Sequence, residues 1–182
     1  MKKSEYETLS KNDRANFTLE GEAFWAHIHK PDMHSAKKFN APPKFAITLL
    51  LDDENKKKAV KHGLKVKPAD EFNAKPYIVL KRNSTKTIKN DDGSMKEVPV
   101  KIEVVDSMQK PIPPNILIGN GSHVVVKCSL AWLDSLNKVH PYLTKVQVRK
   151  LVEYKAAGSS EVDKVVEGGY KTPDEFDEEL PF

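Results

Sequence analysis

The stretch FTLEGEAFWAHI (17–28) alternates as a β-strand does, yet its apolar residues change parity midway. Phe17 and Leu19 share one parity; Phe24, Ala26 and Ile28 share the other. Successive side chains of a strand point to opposite faces, so the buried face changes only at a bulge or sharp bend. Gly21 lies between the two sets and is the expected bend. A long first strand bent at a glycine suits a small closed barrel. Past the bend, Phe24, Ala26 and Ile28 face the core, which sends Trp25, His27 and His29 outward together.

The rest of the chain is also strand-rich. FAITLLL (45–51) places Phe45, Ile47, Leu49 and Leu51 on one side. PYIVLKR (76–82), VPVKIEVVD (98–106) and ILIGNGSHVVVKCSLAWL (116–133) read as strands, the last interrupted at Gly119-Asn120-Gly121. TKVQVRKLVEYK (144–155) puts Val146, Val148, Val152 and Tyr154 on one face and Lys145, Gln147 and Arg149 on the other. DDENKKKAVKHG (52–63) reads as one short helix, capped by Asp52 or Asp53 and stopped by Gly63. KPDMHSAKKFNAPPK (30–44) reads as a long loop, and NDDGS (90–94) as a turn. This is an all-β pattern of about five to six strands, a barrel or sandwich. The expected divisions are a flexible N-terminus (1–15), a folded domain (16–155), a linker (156–171) and a disordered acidic tail (172–182).

Charge is divided along the chain. The last eleven residues carry Asp174, Glu175, Asp177, Glu178 and Glu179 and no basic side chain. Residues 1–171 therefore hold 21 of the 26 acidic groups against all 30 basic ones, a balance of +9. A strongly basic body points to a polyanionic partner. Solubility alone does not need the charge segregated. The 27 residues from Ala156 onward, taken as a flexible chain, span roughly 30 Å, about a small domain's diameter.

Several kinds of chemistry find no support. Cys128, the single cysteine, forms no intramolecular disulfide or cysteine cage, and it alternates with Val124, Val126 and Leu130 as a core residue does. A reducing, cytosolic compartment is expected. His27, His29 and His34 crowd one stretch and could chelate a metal, but outward polar side chains are the simpler account. No nucleophile elbow, Walker loop or zinc-protease helix occurs. No catalytic residue, metal or cofactor is expected. No apolar run approaches the length of a membrane helix, so no membrane partner is expected either.

Aromatic rings among lysines are what remains. Trp25 with His27 and Lys30, Phe39 with Lys37, Lys38 and Lys44, and Tyr77 with Lys81 and Arg82 are candidates for binding single-stranded nucleic acid. Lys145 and Arg149 join them on the last strand. Lysines would follow the phosphates while exposed rings stack unpaired bases, a contact that a duplex hides. For each ring, ordinary core packing is the competing account.

AFWAHIHKPD, KFAITLLLD, and IGNGSHVVVKCSLAWL followed by VQVRKLVEY resemble the replication single-stranded DNA-binding proteins of short-tailed bacteriophages. The tail DEFDEELPF is similar to the acidic, Pro-Phe-ending peptides of single-stranded DNA-binding proteins. The resemblance spans about residues 16–155 plus the tail. It implies an OB-fold barrel, sequence-independent binding of single-stranded DNA in replication and recombination, and action in the cytoplasm of an infected bacterium. It also implies a tail that recruits DNA polymerase and helicase-primase, with Asp174, Glu175, Phe176, Asp177, Glu178, Glu179 and Phe182 as its contact residues. A homodimer stays open. The reading of another class is a phage protein-interaction module or an inhibitor of an acidic host protein.

Overall fold

The computed structural model describes residues 1–70 and 73–154. Two short helices, α1 (Lys3–Thr8) and α2 (Lys11–Ala15), precede the long strand β1 (Phe17–Asp32). Then come α3 (Met33–Phe39), β2 (Lys44–Leu50), α4 (Asp53–Lys61) and β3 (Tyr77–Asn83). A hairpin of β4 (Thr85–Lys89) and β5 (Met95–Pro99) leads to β6 (Glu103–Val105). A second, longer hairpin follows, of β7 (Ser122–Leu133) and β8 (Lys138–Lys150).

Six strands form one mixed sheet in the order β3-β2-β1-β7-β8-β6, and β4-β5 stands as a separate pair. All its pairings are antiparallel except that of β6 with β8. The sheet curls until β3 returns beside β8. There Arg82 Nη1 donates to the Leu143 carbonyl at 2.9 Å, so a side chain bridges the seam that no ladder closes. With β7 and β8 as fourth and fifth strands, this is the partly open five-stranded barrel of an OB fold. Its interior holds Leu19, Ile47, Leu49, Leu80, Val124, Val126, Leu143 and Val146, all fully buried. Phe45, Ile47, Leu49 and Leu51 face inward, as their alternation predicts. Cys128 is buried in the same core, and burial pushes its thiol up to about 12.

The bend of β1 falls four residues later than expected. Phe17, Leu19 and Ala23 are all buried, so parity runs through Gly21 unchanged. It breaks at Trp25, which has φ +48°, and Ile28 is buried beyond it. Between the pairs Phe24↔Thr48 and His27↔Ala46, β1 has one residue more than β2, a bulge. Gly21 serves a different need. A Cβ there would lie 2.0 Å from the Leu50 carbonyl oxygen, so its missing side chain lets β1 and β2 approach.

The first fifteen residues are not a frayed segment. α2 is capped by Ser10, which accepts from the Asp13 N–H at 3.0 Å. The Tyr6 hydroxyl donates to the Leu130 carbonyl at 3.2 Å, and its ring meets Trp132 at 5.9 Å. Met1, Tyr6 and Leu9 pack on the core, and Lys3 pairs with Asp134 at 2.6 Å. Helices this short are held by such docking rather than by their own propensity. The single expected helix, α4, starts from an Asp52 cap that accepts from Asn55 N–H at 2.8 Å. That bond and the Asn55 amide hold the Asp52 carboxyl below its usual range.

Gly21→Ala should destabilise the protein by about 3 kcal/mol, the upper part of the range for overpacking, because its neighbour is backbone and cannot swing away. Urea unfolding measures it.

Candidate nucleic-acid interface

The loop expected over residues 30–44 contains α3. Asn40 (φ +47°) stops the helix in the left-handed region, and the Ala41 N–H returns to the Ala36 carbonyl at 3.0 Å. Ala36 is buried and anchors the helix, while Lys37 and Lys38 stand exposed in its last turn. Phe39 ends it 68% exposed, with Lys38 Nζ 5.5 Å from the ring centroid. A large ring left in water at a helix end contributes little to folding and is available to a ligand.

Phe39 borders a hollow of about 160 Å³ with Asp32, Pro42, Lys44 and Lys81. This runs into a larger one of about 730 Å³, which shares Pro42, Lys44 and Lys81 and adds Arg82, Lys86, Glu97, His140 and Tyr142. Lys44, Lys81 and Lys86 enter no ion pair among the described residues. His140 and Tyr142 stack edge to face at 4.6 Å. The His140 imidazole is held below its usual range, first by burial and then by the charges of Lys138 and Lys44. The hollow therefore combines rings with a positive field. Its charge differs from that of the hollow of about 420 Å³ along the first half of β1. That one is lined by Glu20, Glu22, Asp52 and Glu54 with Lys58 and Lys75.

Trp25, His27 and Lys30 gather in a separate hollow of about 500 Å³ with Leu117, Ile118, Asn120 and Tyr154. Trp25 and His27 are exposed, as the reading of β1 requires, whereas His29 is half-buried and its imidazole is lowered by burial. Among the described residues no three His, Cys, Asp or Glu side chains come together as metal ligands would.

Other expected contacts are not brought together. Tyr77 is buried at the far end of β3, where its hydroxyl donates to Asp70 Oδ2 at 2.6 Å. That bond raises the phenol above its usual range. Its ring lies under Lys67, with Nζ 5.4 Å from the centroid, and borders none of these hollows. Lys145 is paired with Glu103 at 2.8 Å. Arg149 is exposed but borders none of these hollows. Arg82 lines the large hollow while tying the barrel seam. Asp174, Glu175, Phe176, Asp177, Glu178, Glu179 and Phe182 lie outside the described residues.

No family model matches the chain, and no curated protein matches it. Solved structures do. The single-stranded DNA-binding protein gp2.5 encoded by bacteriophage T7 aligns with a TM-score of 0.55 and 21% identity, over 86% of this chain and 98% of that one. The single-stranded DNA-binding protein of bacteriophage Enc34, solved in complex with single-stranded DNA, aligns with a TM-score of 0.50 and 14% identity, over 80% and 94%.

The chain shares their fold. The alignment with the T7 protein takes in almost all of that protein, so the likeness extends beyond a barrel core to the whole domain.

Arg82→Met removes a charged donor from the seam and should cost about 1.5–3 kcal/mol in urea unfolding. Lys81→Gln beside it, exposed and without an ion pair, should change stability by less than about 0.5 kcal/mol.

Proposed function

We propose that the chain binds single-stranded DNA without reading its sequence, in the joined hollow that runs from Phe39 to Tyr142. The observation that carries this reading is the composition of that hollow: three rings, Phe39, His140 and Tyr142, set among Lys44, Lys81, Arg82 and Lys86. Lysine ammonium groups meet phosphates as point charges and release counterions. Rings with open faces accept unstacked bases of any identity. The fold is shared with two bacteriophage single-stranded DNA-binding proteins, which supports the assignment.

The same reading places the protein in phage DNA replication and recombination, in the cytoplasm of the infected host. The acidic residues and Phe182 of the tail then recruit replication proteins such as polymerase and helicase-primase. A tail of five carboxylates also imitates a run of phosphates, so it competes with DNA for the basic hollow.

Titration of the full chain with fluorescent oligo-dT tests the reading. Affinity should fall as salt rises, with each phosphate contact contributing about −0.7 to the log–log slope. Lys81→Gln should make the slope shallower by about that amount. Phe39→Ala should weaken binding by about 1–3 kcal/mol with the slope unchanged. An affinity indifferent to salt, or equal for duplex competitor, overturns the assignment. Removing residues 172–182 should tighten DNA binding, most at low salt, while partner recruitment is lost. Equal or weaker binding by the truncated chain removes the competition.

A further inference from the structure

Among the described residues, Trp25 is the one aromatic residue that the fold holds in an unfavourable backbone conformation and also leaves in water. Its φ of +48° lies in the left-handed region, where a bulky side chain crowds its own backbone. The other described non-glycine residues with positive φ are Asn40, Gln109 and Asn137, all polar and outside the strands. A bulge at this point needs only a residue at ease in that region, and glycine or asparagine would serve. The indole is nevertheless 46% exposed. Stability therefore does not explain a tryptophan here.

The conformation is fixed from outside the strand. The Trp25 N–H donates to Asn120 Oδ1 at 2.9 Å, and Phe24 meets the indole edge to face at 5.9 Å. Asn120 belongs to the turn before β7, and Gly121 beside it (φ +86°) donates its N–H to the Ala23 carbonyl at 2.9 Å. The turn thus grips β1 on both sides of Phe24. The result points the indole into the hollow of about 500 Å³ that Leu117, Ile118 and Tyr154 also line. Tyr154 is 51% exposed, so two open rings share one apolar hollow. Lys30 and His27 stand on its rim, and among the described residues no carboxylate lines it.

We infer that this hollow is a second subsite for a single unpaired nucleobase, held between Trp25 and Tyr154 with its phosphate towards Lys30. Asn120 is the positioning residue that keeps the indole in place. The inference rests on the reading of the chain as a single-stranded DNA binder. A base suits the site because it is planar, tolerates either ring face, and brings an anion that the rim can meet.

Intrinsic fluorescence of the full chain tests this, since the chain has two tryptophans and Trp132 is packed against Tyr6. Saturating oligo-dT should quench the emission. Trp25→Gly should abolish most of the quench and weaken oligo-dT binding about 5- to 150-fold. Its unfolding midpoint should not drop, because relief of the left-handed backbone offsets the lost contact. Asn120→Ala keeps the indole but should weaken binding and reduce the depth of the quench at saturation. That depth reports ring placement, which a loss of stability alone leaves unchanged.

Trp25→Gly binding within about twofold of the natural chain, or an undiminished quench in Asn120→Ala, overturns the subsite. If Phe39→Ala loses affinity while Trp25→Gly does not, the subsite falls and the main hollow stands. If the natural chain binds no oligo-dT, both fall. Emission that rises on removing residues 172–182 without DNA, and no quench by oligo-dT, would give the hollow to the tail and overturn the base subsite.

Discussion

β1 has two neighbours and cannot follow both along its whole length. It pairs with β7 only from Phe17 to Ala23, and with β2 from Glu22 to Asp32. A flat sheet would keep both ladders and never close. Leaving one ladder at Ala23 and turning at Trp25 lets the second half of β1 carry β2 and β3 around to β8. Gly21, four residues before that turn, lets β2 lie close by admitting the Leu50 carbonyl where a side chain would stand. The barrel, its seam and both ring-lined hollows follow from that one change of direction.

The seam concentrates structure and charge in the same side chain. Arg82 holds β3 to β8 and also faces the large hollow, so the group that completes the barrel contributes to its positive field. Lys44 and Lys81 on neighbouring strands have no such duty. They are brought side by side because Ala46 and Lys81 are partners across β2 and β3, with Lys44 opposite Asn83. The sheet register, rather than any local motif, assembles the cationic surface.

Much of this was legible in the alternation. The inward residues of β2, the Val146–Val148 face of β8, the α4 cap and the outward side chains of Trp25 and His27 all follow from period and parity. The position of the bend was not, because glycine is the ordinary bulge residue and tryptophan the least expected one. Helix α3 was hidden by the prolines after it, although Asn40 followed by Pro42 is itself a stop signal. The N-terminal helices could not be read because docked side chains hold them rather than a periodic pattern. His140 and Tyr142 escaped because Pro141 interrupts their strand. A proline is tolerated there, where β8 has β7 beside it and β6 joins only from Lys145 onward. Tyr77 and Lys145 looked like binding residues because sequence does not reveal the carboxylates of Asp70 and Glu103 that occupy them.

The short strand β6 closes the far side of the sheet with three residues, and among the described residues its outer flank meets only an isolated bridge from Val105 to Pro111. A brief, proline-covered border offers little backbone for another strand to join. The projecting β4–β5 pair is guarded differently, by Lys86, Lys89 and Lys96 along exposed strands. Molecules of this kind crowded shoulder to shoulder on one polymer would meet at very high local concentration. Blunt borders would let them stand as neighbours without fusing their sheets.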